Sequence, residues 1–309
     1  MAKAPKNVPG AGQGHYIQRK QNKAVSEIYD YYAGIETPMD VTDDECERFK
    51  TNLLKVKTIL NCRQLAVQGE DKTSDAEPYF IRTMLPRDVA TSFFHFRRQD
   101  GSNTHRLYAN IHKHGRLKTF LNLSHRLWNV NDFLCGKVAG PAAKRADTAV
   151  FYFKSKAGLD NGVQAITNYA RGIPERFGQD RPKLTMPVPG LLGFGIGTQP
   201  PKIQIMRQAH NDFVAFGCSQ SFGTYRAHVI FMALENSTIS MNYSPLQAAY
   251  CSAFKKRAKN YLTVAGIDPD HPWRQGAPRI SGTRDASEVL RRIGTLNENG
   301  VDTGWPIAA

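Results

Sequence analysis

Lys137 stands in the stretch FLCGKVAGP, between Gly136 and Val138, with apolar residues close on both sides. A lysine acts as a base only when its pKa falls from about 10.4 towards neutrality. Burial beside other cations brings that about, and an apolar strand is a place where an amine can be desolvated. The same residue also reads as a strand-end lysine whose stem lies along apolar surface while its ammonium reaches water. Arg226 is a second candidate. It falls in the first turn of an expected helix, after Ser221-Phe222-Gly223. Free backbone N–H groups at a helix start and a planar guanidinium both suit an anion. Taken singly, Arg226 also reads as a solvated arginine.

Other chemistry-bearing residues say less. Asp147 in RADTAV can orient Arg145 or Lys137 through a charge-assisted bond, or cap a turn. The run GLLGFGIGT offers Gly190, Gly193, Gly195 and Gly197, but not at the spacing of a dinucleotide fingerprint, so it reads as a flexible loop or lid. The serines, histidines and aspartates show no nucleophile elbow. His112, His114 and Cys135 form no recognised ligand motif, so neither a metal nor a cofactor is expected.

These residues need elements to hold them. Val25, Ile28, Tyr29 and Tyr32 recur at helical spacing, which predicts a helix over 22–33. A second is expected over 43–61: Thr42 and Glu45 form a capping-box pattern, and Phe49, Leu53, Val56 and Leu60 make one apolar stripe. Residues 69–78 read as a polar loop. Strands follow at 93–98 and 106–111, joined by the turn sequence QDGSNT. In the second strand Leu107, Ala109 and Ile111 alternate with Arg106, Tyr108 and Asn110, which predicts one buried face and one polar face. An amphipathic helix over 117–130 points Leu117, Phe120, Leu121, Leu127 and Trp128 inward. Strands at 136–139 and 148–154 and a helix at 158–172 come next. Residues 180–202 are dense in Pro and Gly and read as a long irregular loop. Helices at 222–235 and 245–263 follow, with Pro245 at the first position of the latter. The fold class is therefore α+β: a single domain with a mixed or antiparallel sheet flanked by helices.

The 309 residues are 41 % hydrophobic, enough for one sizeable core, or one core plus tails. Residues 1–20 are rich in Gly, Pro, Ala, Lys and Gln and read as disordered, an ordinary frayed terminus or a secretion signal. Residues 21–275 form the expected domain, and 276–309 a loosely structured tail. Forty-one basic residues against twenty-seven acidic ones leave a net charge of +14. Such a surface attracts phosphoproteins, nucleic acid or acidic lipid, or simply keeps the protein soluble. The basic residues are scattered without a nucleic-acid motif, which disfavours that partner. The five cysteines form no C-x-x-C pair, as suits reduced thiols rather than a disulfide framework. No run approaches the roughly 18 apolar residues of a membrane span, and no Sec-type signal peptide is visible.

Three collinear stretches resemble the HopA family of type III secreted effectors (Hrp outer protein A). They are EIYDYYAGIETPMDVTDDECERFKTNLLKVK, then RLYANI with GKVAGPAAKRADTAVFYF, then FKKRAKNYLTVAGIDPDHPWRQ. The likeness spans roughly residues 25–275; the tail from 276 departs from it. The resemblance implies an α+β protein delivered by a type III apparatus into the host cell cytoplasm, where it interferes with immunity. A host immune protein or phosphoprotein would be its partner, and a secretion chaperone its escort.

The same fold family is similar to lyases that build lanthipeptides and, more remotely, to phosphothreonine lyase effectors. By that likeness Lys137 is the base of a β-elimination. Arg106, Tyr152, Lys154 and Arg226 would hold the phosphate. Where the lyases carry a histidine acid, this chain has Tyr108; His112 and His114, just beyond the strand, are substitutes or merely a polar turn. Three readings stay open. One is an effector with a basic pocket for an anionic target. Another is a phosphoserine or phosphothreonine lyase acting on a host protein, or on a precursor peptide in the bacterial cytoplasm. The third is a non-catalytic module that binds a host protein.

Overall fold

The computed structural model describes residues 25–67, 81–102, 104–200, 203–206, 213–216, 222–235, 255–256, 258–263 and 265–276. The expectations for residues 1–20, for the polar loop at 69–78 and for the tail beyond 276 lie outside the described residues. The chain forms two compact units: one comprises 30–199 with 271–275, the other takes in 1–29, 200–270 and 276–309.

The larger unit is built on a seven-stranded sheet. Its elements, after a helix α1 at 25–33, are α2 (Asp43–Leu60), β1 (Gln64–Val67), α3 (Pro86–Thr91), β2 (Phe93–Arg97), β3 (His105–Ala109), α4 (Arg116–Leu127), β4 (Phe133–Ala139), β5 (Ala149–Phe153), α5 (Lys156–Arg171), β6 (Met186–Pro187) and β7 (Phe194–Thr198). The strand order is β1-β2-β4-β5-β3-β7-β6, and every pairing is antiparallel. The α+β architecture with an antiparallel sheet flanked by helices is the one expected.

The helices start where local chemistry says they should. At α2 the Thr42 side chain accepts from the Glu45 N–H at 3.2 Å, while the Glu45 carboxylate accepts from the Thr42 N–H at 3.0 Å. Two orphan donors are thus satisfied reciprocally. Phe49, Leu53, Val56 and Leu60 are the buried stripe of this helix. Ser155 caps α5 by accepting from the Gly158 N–H at 3.0 Å. Helices α2, α4 and α5 contribute to one apolar core with one face of the sheet. Phe120 of α4 sits at its centre, with ring centroids 5.3 Å from Phe96 and 5.5 Å from Phe151.

Three expectations are corrected. Strands β2 and β3 do not form a hairpin around QDGSNT: β4 and β5 lie between them in the sheet. The turn residues are local, but strand partners are chosen by long-range burial. The polar face of β3 is not at the surface, since Arg106 and Tyr108 are buried along with Leu107 and Ala109. The stretch 180–202 is not a long irregular loop. Phe194 and Ile196 point into the core from β7, which pairs with β3 along its whole length. Gly190 and Gly193, at φ +72° and +74°, make the turn before it.

The second unit is described in pieces. Strands β8 (Ile203–Met206) and β9 (Phe213–Phe216) pair antiparallel, and helix α6 spans Phe222–Glu235. The Tyr225 hydroxyl donates to the Ala265 carbonyl at 2.8 Å. Of the helix expected at 245–263, the described residues include a helical stretch at 258–263. No helix among the described residues is long and apolar enough to cross a membrane.

Packing of this kind has a measurable consequence. Phe120→Ala should lower the stability of the protein by about 3–5 kcal/mol, whereas Leu192→Ala should change it by no more than about 0.5 kcal/mol. Phe120 is fully buried and Leu192 is 70 % exposed. Urea denaturation of both variants checks this, and comparable midpoints would contradict the core as described.

Candidate functional site

Register decides which side chains meet. In an antiparallel pair, residues directly opposite one another share a face. Across the sheet, His95 of β2 is opposite Lys137 of β4, Lys137 is opposite Val150 of β5, and Val150 is opposite Tyr108 of β3. One pleat further on, Cys135, Tyr152 and Arg106 are opposite each other in turn. Lys137, His95, Tyr108, Tyr152 and Arg106 therefore stand on one face, and the aromatic core occupies the other. A bulge sets this up. The register of β4 shifts between Phe133 and Cys135, so Phe133 faces the core while Cys135 and Lys137 face away. Without that extra residue every side chain beyond it would change sides.

The polar face is dry. Lys137 is 7 % exposed and Arg106 6 %. The Lys137 ammonium lies 4.1 Å from the centroid of the Phe93 ring, and the Arg145 guanidinium lies 4.7 Å from the same ring. Arg145 is held in turn by Asp147, with Nη2 donating to Oδ2 at 3.0 Å. Asp147 thus bonds Arg145, one of the two partners the sequence offered it, and also acts electrostatically on the other, Lys137. Arg106 stacks at 5.0 Å over Tyr152, whose ring is also stacked against His95 at 6.4 Å.

Electrostatics follow from this crowding. Burial, with Arg106 and Arg145 adding to it, pulls Lys137 down to about 7, against the opposing pull of Asp147 and Cys135. Burial holds the Tyr152 phenol far above its ordinary range. Burial works against the charge on Arg106, but the neighbouring Tyr108 and Tyr152 more than offset it, and the guanidinium stays a cation. Its Nε is buried and meets no acceptor among the described residues. A buried donor left unpaired costs about 1–3 kcal/mol.

The remaining sequence candidates are placed differently. Lys154 lies just past the end of β5 and is exposed. His112 is also exposed, outside the strand, with its N–H donating to the Arg176 carbonyl at 2.9 Å. Arg226 belongs to the other unit, one turn into α6. It is fully buried, its guanidinium 3.6 Å from the Phe222 ring and its Nη1 donating to the Phe222 carbonyl at 3.3 Å. Among the described residues no set of three His, Cys, Asp or Glu side chains is grouped to hold a metal. Sequence reasoning missed His95 and Arg145. Nothing in FFHFR marks its histidine; only the cross-strand pairing does. Arg145 was visible next to Asp147, but not as a neighbour of Lys137.

No protein-family model and no curated protein matches this sequence. Solved structures do. An effector protein from Pseudomonas syringae pv. tomato superposes with a TM-score of 0.56 at 19 % identity, over 86 % of this chain and 97 % of that one. An effector protein from Pseudomonas syringae pv. syringae does so with a TM-score of 0.53 at 20 % identity, over 87 % and 100 %. The chain shares their fold. These neighbours agree with the resemblance to HopA-type effectors in the sequence. The phosphothreonine lyase SpvC, an effector from Salmonella, matches at a TM-score of only 0.29 and 13 % identity over 53 % of this chain and 92 % of that one, too loose to fix a common fold.

The depressed pKa of Lys137 has a sign that can be tested. The unfolded chain carries the lysine proton up to about pH 10.4, whereas the folded chain releases it near 7. Between these values the unfolded state binds more protons, so the Lys137 contribution to stability rises with pH across the window and its penalty is greatest below it. Lys137→Met should be more stable than the parent at neutral pH, with the gap closing towards about pH 10. Urea midpoints across that range check this; a gap that does not change with pH would mean an ordinary, charged lysine.

Proposed function

We propose that the polar face of the sheet holds a phosphorylated serine or threonine side chain and eliminates its phosphate, in a protein that acts as a bacterial effector on a phosphorylated host target. The observation that carries this reading is the buried amine of Lys137 on that face, 4.1 Å from the Phe93 ring and drawn towards neutrality by burial and by two permanent cations. At a pKa of about 7, roughly half of the amines are unprotonated at neutral pH and able to accept a proton.

The chemistry balances without a cofactor. The Lys137 amine takes the α-proton of the phosphorylated residue. The electrons of that C–H bond become the Cα=Cβ bond, the Cβ–O bond breaks, and phosphate departs with the bonding pair. Arg106 is the natural holder of that phosphate: its unpaired Nε is a donor with the geometry and charge for a phosphate oxygen. A proton for the departing oxygen can come from His95 or Tyr108, which flank Lys137 on the same face. The fold shared with the two Pseudomonas syringae effectors supports the effector half of the reading.

Incubation with a library of phosphoserine and phosphothreonine peptides should yield products lighter by one phosphoric acid, with an alkene that adds thiols. Lys137→Ala and Lys137→Gln should abolish the product, and Arg106→Gln should slow it by about 10²-fold or more. Complete absence of product from the parent protein would end the elimination reading. The effector half has its own test: residues 1–50 fused to a reporter should be translocated into host cells in a manner dependent on a type III apparatus, and retention in the bacterium would refute that route.

A further inference from the structure

A cleft of about 670 Å³ opens in the larger unit. That lies within the roughly 300–1,000 Å³ typical of ligand sites. Four stretches of chain form it, stitched by backbone hydrogen bonds. The Gly178 N–H donates to the Asn110 carbonyl at 2.8 Å, the Lys183 N–H to Tyr32 at 2.8 Å, the Ala146 N–H to Ala33 at 2.8 Å and the Glu36 N–H to Lys144 at 3.0 Å. The walls are therefore fixed in place rather than draped across a surface.

Its lining is cationic in excess. Six lysines and arginines face three carboxylates. The six do not all have the same work. Arg116 is buried and donates to the carbonyls of Ile111, Gly140 and Ala143, so it braces the wall. Lys113, Lys144 and Arg145 each have a carboxylate partner in Glu45, Glu36 and Asp147. Arg181 and Lys183 have none among the described residues, and both are exposed. Arg181 donates only to the Thr185 carbonyl, and Lys183 rests 3.6 Å over the Tyr31 ring.

One residue ties the cleft to the sheet. Arg145 lines it, and the Arg145 guanidinium and the Lys137 ammonium both lie against the single ring of Phe93. A chain whose phosphorylated residue reached Lys137 would have its neighbouring residues at Arg145, with Arg181 and Lys183 beyond.

The geometry points to this cleft as a docking groove for an acidic peptide segment flanking the phosphorylated residue, with Arg181 and Lys183 as the groups that read its carboxylates. The assignment rests on the elimination reading for its position in the substrate, but the groove is a binding site in its own right. A peptide fits it better than a nucleic acid does, because the unpaired cations are two and local rather than a continuous track along a backbone.

The test uses full-length protein and two kinds of measurement. Fluorescence anisotropy with a labelled, unphosphorylated Glu/Asp-rich peptide reads the groove alone, and it is done in the parent and in Lys137→Ala. Both should bind the peptide, and Arg181→Glu with Lys183→Glu should weaken binding by about tenfold. Both positions are exposed, and circular dichroism checks that the double variant is folded. Competition kinetics then compare phosphopeptides with acidic and with neutral flanks. The parent should prefer the acidic flank in kcat/KM, and the double variant should lose that preference. Undiminished peptide binding in the double variant overturns the inference. So does an oligonucleotide of equal charge that competes as well as the peptide. If no phosphopeptide is turned over while the groove still binds the acidic peptide through Arg181 and Lys183, the elimination reading falls and the groove stands.

Discussion

Keeping an amine out of water next to two guanidinium groups is the arrangement on which the rest of this structure turns. Isolated, such a cluster would be unstable, because each charge is desolvated and the cations repel. Several features offset it. Lys137 gives up its proton more readily than a free lysine does. Asp147 neutralises Arg145. The Phe93 ring presents its negative face to both Lys137 and Arg145. Tyr152 does the same for Arg106. A face built in this way is costly to maintain.

The other face of the sheet supplies the stability that makes this tolerable. Its aromatic residues and the helices against them form one continuous core, with Phe120, Phe133, Phe151 and Phe153 all fully buried. Gly136, immediately before Lys137, shows how closely the two faces are coupled. A Cβ there would come within 3.0–3.2 Å of the Phe120 and Phe151 rings. Glycine thus lets the aromatic core press against the backbone that carries Lys137, so the strand under the amine has little room to move. The bulge at Leu134 has the matching role, since it divides β4 into a core-facing start and a segment that presents Lys137.

How much of this was legible in the sequence depended on the range of the interaction responsible. The capping box at Thr42 and Glu45 and the stripe on α2 involve residues three and four apart, and both were readable. The desolvated setting of Lys137 was readable because its apolar neighbours lie beside it in the chain. The partner of β2 was not, because the turn residues at 99–104 are compatible with a hairpin and only burial of the whole strand excludes it. The strand β7 had a period-2 signal, Phe194 and Ile196 alternating with Gly195 and Gly197, that the density of glycine and proline around it concealed. His95 and Arg145 were unreadable as members of the site for the same reason: one meets Lys137 through a cross-strand pair, the other through a ring neither is bonded to.

Fold and chemistry carry different weight here. Identities of 19 % and 20 % with two effector structures speak to the path of the chain. They do not speak to which side chains line a given face, and a sheet of this topology can serve many purposes. The chemical reading rests instead on how charge is distributed in this chain. A net charge of +14 would ordinarily be spread over solvated surface, where each cation is screened and exchangeable. Here some of that charge is withdrawn from solvent onto a single sheet face, and some is set around a braced cleft that reaches the same face through Arg145. Burial makes the first set strong and short in range, while exposure makes the second weaker and adaptable. The proposed substrate, a phosphate joined to an acidic flank, would satisfy both at once.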